Sequence, residues 1–126
     1  DIAFSALLDD LYASGAIDET LVIVTSEFGR TPKIGGFVNT PVFSPTGRDH
    51  WGSCFHTLFA GGGVTPGQVI GESDQHAAYC KTPAYYPSDV GATIYTALGI
   101  DPRSEIHDQL GRPYRLNSGN LIRALF

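Results

Sequence analysis

Two short clusters hold the residue types that can do chemistry: Gly47-Arg48-Asp49-His50-Trp51-Gly52 and Ser26-Glu27-Phe28-Gly29-Arg30. A neutral imidazole at His50 can ligate a transition metal or carry a proton, and a neighbouring carboxylate or backbone carbonyl can orient its ring. The competing reading is a loop histidine held only by hydrogen bonds. Arg30 and Arg48 each stand beside a glycine, and a guanidinium can hold a phosphate or sulfate through two parallel hydrogen bonds. Their alternative use is an ion pair with Glu27 or Asp49. His56, His76 and His107 lack such surroundings. No Gly-x-Ser-x-Gly elbow supports Ser26 as a nucleophile, and no Cys-x-x-Cys or His-Glu-x-x-His spacing points to a small closed zinc site.

These clusters need elements to place them. Leu21-Val22-Ile23-Val24 is an unbroken apolar run, the pattern of a strand covered on both faces, so Leu21 to Thr25 is expected as an interior strand. Ligands gather at the carboxyl ends of strands in open α/β sheets, where Glu27 and Arg30 would stand. A second strand is expected over Phe55 to Ala60. If the two strands are neighbours, Glu27, Arg30, Arg48 and His50 open at one edge of the sheet. Thr31 to Asp49 is a long irregular stretch with three prolines, of the kind that tends to be functional or mobile.

Around these lie a helix from Ile2 to Ser14, stopped by Gly15, and a helix from the N-cap Ser88 to Leu98. The first has Phe4, Leu7, Leu8 and Leu11 on one face, and the second is expected to bury Val90, Ile94, Ala97 and Leu98. Gly61-Gly62-Gly63 is a turn and not a nucleotide loop, since no Gly-Lys-Ser/Thr follows it. Gln68 to Gly71 is expected as a short strand or edge segment, and Glu72 to Pro87 as a surface excursion. Ile100 to Asn117 is expected to be irregular. Leu121, Ile122 and Leu125 should pack a short helical tail onto the body. This order of elements gives an α/β layer fold with at least some parallel strands.

A net charge of −5, with the eight basic residues scattered, excludes a nucleic-acid partner, because phosphate backbones call for clustered Lys and Arg. No apolar run approaches the roughly 20 residues of a membrane span. Cys54 and Cys80 can pair or stay free, and a buried free thiol is the commoner case. The chain starts at Asp1 and contains no Met, which points to a piece of a longer protein.

The blocks Thr20 to Pro32, Gly47 to Trp51, Ala60 to Gly63 and Gly67 to Gly71 together resemble one bacterial family, as do Asp89 to Ile100, Gly111-Arg112-Pro113 and Ile122 to Phe126. It is the family called domain of unknown function 1501, a sulfatase-like branch of the alkaline phosphatase superfamily. The resemblance implies an alkaline-phosphatase-like α/β sandwich with a mostly parallel sheet flanked by helices. It makes residues 1–126 the C-terminal part of one domain whose N-terminal part is missing. It further implies a metal-dependent hydrolase of phosphate or sulfate esters, acting on anionic small molecules or polysaccharide esters, and export to the periplasm or beyond.

In that superfamily a strand of this kind ends in Asp-His, both metal ligands, and a later loop supplies another His. Glu27 matches the Asp and His50 the later His, so these two are the implied ligands of a divalent metal, zinc foremost. Phe28 stands at the place of the strand-end His and cannot bind a metal. Arg30 and Arg48 would neutralise the anionic oxygens of the ester. The departure at Phe28 leaves a second implication, a non-catalytic relative that binds an anionic ligand or a protein partner.

Overall fold

A computed structural model describes residues 1–35 and 47–126, so the middle of the expected irregular stretch lies outside the described residues. The chain divides into two compact units. One comprises residues 1–22, 60–68 and 85–126, and the other comprises 23–59 and 69–84.

In the first unit, α1 runs over Ile2–Ser14 and ends at Gly15, whose φ of 75° is the left-handed conformation that glycine adopts without a Cβ penalty. A 3₁₀ turn, Ala16–Asp18, follows and buries Ile17. The triple glycine is a turn, as expected. The Gly62 N–H donates to the Ile17 carbonyl at 3.0 Å. Gly61 sits at a φ of 73°, where a Cβ would run into the carbonyls of Thr20 and Ile17.

Helix α2 spans Pro87–Ala97, with Tyr86 rather than Ser88 as its N-cap. Proline at the first helical position is pre-set in φ and gives up an N–H that needs no partner there. Asp89 closes the cap by accepting the Tyr86 N–H at 2.8 Å. The buried face also differs from expectation. Asp89, Ala92 and Thr93 are the buried residues, whereas Leu98 is 65% exposed. The physical reason is that α2 meets the backbone of the chain's own tail, and backbone N–H groups need acceptors. Asp89 Oδ1 accepts the Asn120 N–H at 2.8 Å, and Thr93 Oγ1 accepts the Ile122 N–H at 3.0 Å. The tail ends in a 3₁₀ turn, Arg123–Leu125, with Ile122 and Leu125 buried as the apolar pattern predicts.

The strands are short. They are β1 (Val22–Val24), β2 (Gly29–Arg30), β3 (His50–Trp51), β4 (Leu58–Ala60), β5 (Glu105–His107) and β6 (Pro113–Arg115). Among the described residues they form three two-stranded pairs, β1 with β4, β2 with β3 and β5 with β6. The last two pairs are antiparallel. This overturns the expected sandwich with a mostly parallel sheet flanked by helices. An apolar run of four residues is long enough to suggest a covered strand, but burial needs partners on both faces. Among the described residues β1 has only β4 beside it, and Val24 at its end is 43% exposed. Gln68 to Gly71 forms no strand.

The β5–β6 hairpin replaces the irregular segment expected there. Its turn is built by Asp108, whose Oδ1 accepts the N–H groups of Leu110 and Arg112 at 2.8 and 2.9 Å, and by Gly111 at a φ of 74°. Among the described residues, no helix is long and apolar enough to cross a membrane.

Candidate functional site

The chemistry-bearing residues lie in the second unit, on the β2–β3 ribbon. Its register sets Gly29 opposite Trp51 and Arg30 opposite His50. The pairing continues past the strands, where the Thr31 N–H donates to the Asp49 carbonyl and the Asp49 N–H donates to Thr31 Oγ1, each at 3.0 Å. Thr31 is buried and its hydroxyl also donates to the Lys33 carbonyl.

Side chains alternate along a strand, and directly opposed residues share a face. One face of the ribbon therefore carries Gly29 and Trp51. Trp51 Nε1 donates to the Ala78 carbonyl at 2.5 Å, and its ring meets Tyr79 edge-on at 5.6 Å between centroids. Gly29 lies so close to the backbone after β3 that a Cβ would strike the Cys54 carbonyl and sit 3.1 Å from the Trp51 carbonyl. The segment that receives Trp51 is itself fixed. Asp74 Oδ1 accepts the N–H groups of Ala78 and His76 at 2.8 and 3.0 Å, and these bonds, the Ala78 one first, hold its carboxyl below the usual carboxylate range. This face anchors the ribbon.

The other face carries Phe28, Arg30 and His50. The rings of Phe28 and His50 stack at 3.8 Å between centroids with 24° between planes. The Arg30 guanidinium carbon lies 5.7 Å from the centre of the same Phe28 ring, within cation–π reach. Arg30 and His50 are exposed, and their side chains make no hydrogen bond or ion pair to the described residues. The result is two nitrogen-bearing side chains, in direct register, gathered around an aromatic ring.

The expected set is thus divided by its surroundings. Arg30 and His50 are brought together by the ladder. Glu27 and Arg48 are exposed and flank the paired residues, Glu27 two positions before Gly29 and Arg48 two positions before His50. Among the described residues, neither the Glu27–Arg30 nor the Arg48–Asp49 ion pair forms. Among the described residues, no group of three or more His, Cys, Asp and Glu side chains is gathered as a metal centre requires. Phe28 was the residue undervalued by the sequence. Its signal is its place two residues before Arg30, which puts both on one face as soon as Gly29–Arg30 is a strand.

The chain belongs to the DUF1501 family, described as proteins of unknown function, whose family model matches residues 1–126. No curated protein and no solved structure matches the chain.

Proposed function

We propose that the protein binds and hydrolyses phosphate or sulfate esters, as a member of a sulfatase-like branch of the alkaline phosphatase superfamily, and that the Phe28–Arg30–His50 face receives the anionic head of the substrate. The observation that supports this reading is the register of Arg30 with His50 on one exposed face. A guanidinium donates two parallel hydrogen bonds to a tetrahedral anion, and an imidazole beside it adds a third nitrogen as donor or proton carrier. The Phe28 ring keeps water from one side of both, which strengthens their pull on a developing negative charge. Arg48 extends the basic edge.

Glu27 and His50 would contribute one carboxylate and one imidazole to a divalent metal, zinc foremost. Two donors do not complete a zinc centre, which takes at least three protein ligands. Export to the periplasm or beyond goes with the same family reading.

The test uses the intact natural protein with aryl phosphate and aryl sulfate monoesters. Arg30→Ala and His50→Ala should each lower kcat/KM by about 10- to 100-fold, the loss of one charge-assisted contact to the transition state. Metal content is measured on the same samples. Turnover that is unchanged in both variants defeats the proposal.

A second reading is favoured by one observation. Phe28, at the place where the resemblance expects a metal-binding histidine, is occupied in stacking on His50. A non-catalytic relative would use the same face to hold an anionic ligand or an acidic partner protein. In that case phosphate or sulfate binding depends on Arg30 and His50 while no ester is turned over.

A further inference from the structure

The two cysteines of the chain are far apart in sequence, yet the second unit brings them side by side. Cys80 Sγ lies 3.9 Å from the carbonyl oxygen of Ser53, the residue that precedes Cys54. The backbones that carry them are already tied together. Trp51, three residues before Cys54, donates to the carbonyl of Ala78, two residues before Cys80. Cys80 is held further by an antiparallel bridge to Ser73. Both thiols are free, Cys54 half-buried and Cys80 exposed.

We propose that Cys54 and Cys80 form an oxidisable dithiol that closes to an intramolecular disulfide, fixing the segment after β3 to the 73–80 excursion. Two cysteines can be joined only where the backbones that carry them run close together, and the Cys80–Ser53 and Trp51–Ala78 contacts hold these two segments against each other. The order of events follows from exposure. Exposed Cys80 is the thiol that meets an oxidant first. Desolvation pushes the Cys54 thiol above its ordinary pKa, and the neighbouring Cys80 thiol adds to this, so Cys54 is the slower attacker and the resolving group.

With a small disulfide such as glutathione disulfide as oxidant, the Cys80 thiolate attacks one sulfur and expels one glutathione thiolate. The Cys54 thiolate then attacks Cys80 Sγ in the mixed disulfide and expels the second. Two protein thiols are oxidised, one disulfide is reduced to two thiols, and the two cysteine protons leave with the glutathione sulfurs. The closed loop runs from Cys54 through Cys80, 27 residues, and pins the Trp51 face of the ribbon from behind.

The experiment equilibrates the intact natural protein in a glutathione redox buffer, traps free thiols by alkylation and maps tryptic peptides. Cleavage after Arg48 and Lys81 leaves both cysteines in one peptide, Asp49 to Lys81. Under oxidising buffer that peptide should lose about 2 Da and accept alkyl groups only after reduction. Cys54→Ser should retain glutathione on Cys80, and Cys80→Ser should take it up far more slowly. Oxidation of the wild type should raise Tm by roughly 5 °C or more, a rise absent from either variant. Two readily alkylated thiols in the oxidised sample overturn the proposal. So does glutathione retained on both cysteines of the wild type. Since the wild-type peptide map reads the bond directly, a variant that fails to fold does not decide the outcome.

Discussion

Asp89 in the first unit and His50 in the second are both polar side chains on short elements, but they are used in opposite ways. Asp89 is buried, and its two carboxylate oxygens accept the Asn120 and Tyr86 N–H groups. Thr93, one turn along α2, is fully buried, donates to the Asp89 carbonyl and accepts from Ile122. His50 and Arg30 instead stand exposed around Phe28 with no hydrogen bond to the described residues. Buried polar groups must be satisfied, and once satisfied they have nothing left to offer a ligand. Exposed ones on an anchored ribbon keep their donors free. The contrast separates residues that hold the fold from residues that can serve it.

The strongest way to break this contrast is at Asp89. Asp89→Ala removes a cap and strands the Asn120 and Tyr86 N–H groups, so it should lower unfolding stability by about 3 kcal/mol. His50→Ala, an exposed change, should stay within roughly 0.5 kcal/mol. Urea melts of both variants check the pair, and equal losses would make the ribbon face structural. The same site sets a pH dependence. The N–H groups of Asn120 and Tyr86, Asn120 first, hold the Asp89 carboxyl below the usual range. A carboxylate whose folded pKa lies below its unfolded value of about 3.9 contributes its full stabilisation above that value. The contribution is lost as the pH falls through the lowered folded pKa. The advantage of wild type over Asp89→Asn should therefore be constant from about pH 5 to 8 and shrink below about pH 4.

A smaller effect is expected at Gly29, and it tests whether the anchored face positions the open one. A Cβ at this position meets the Cys54 carbonyl, part of a backbone that cannot yield as a flexible side chain would. Gly29→Ala should cost about 2 kcal/mol, in the range of overpacking strain. It should also weaken phosphate or sulfate binding although it touches neither Arg30 nor His50. Calorimetric titration with inorganic phosphate and sulfate provides the measurement. Full affinity in a destabilised Gly29→Ala protein would show that the two faces are independent.

The sequence disclosed local structure better than architecture. Both helices, the Gly15 stop, the triple-glycine turn and the buried Ile122 and Leu125 were legible, because helical periodicity and glycine conformations are local signals. The parallel sheet was not. Leu21 to Val24 has the composition of a covered strand, but composition does not say how many partners a strand finds, and among the described residues β1 finds one. At the site, Arg30 and His50 were legible by type and glycine context, and the ladder sets them in register. Phe28 was legible only as a missing ligand. Its stack on His50 depends on the pairing of β2 with β3 across 19 intervening residues, which no window of adjacent residues contains. The β5–β6 hairpin was missed although Asp108 and Gly111 are ordinary turn formers, because Pro102, Gly111 and Pro113 read as breakers of regular structure, whereas proline is tolerated at the first residue of a strand, where Pro113 stands.

The smallest effect concerns that stack and sharpens the comparison most, because it assigns a role to an aromatic ring on the open face. A stacked aromatic pair couples by about 0.5–1.5 kcal/mol beyond the area it buries. Phe28→Leu keeps apolar bulk at the ribbon but removes the π face under His50 and near Arg30. In a double-mutant cycle of Phe28→Leu and His50→Ala, read as sulfate affinity, the single changes should sum to more than the double change by roughly 0.5–1 kcal/mol. The physical content is positional. Phe28 holds the imidazole parallel to its own ring, and leucine leaves the imidazole free to turn away from an anion on Arg30. Stability measured in the same cycle should show coupling no larger than this. Additive losses in affinity would mean that Phe28 merely fills space beside His50, and the anion-binding role would then rest on Arg30 and His50 without their aromatic support.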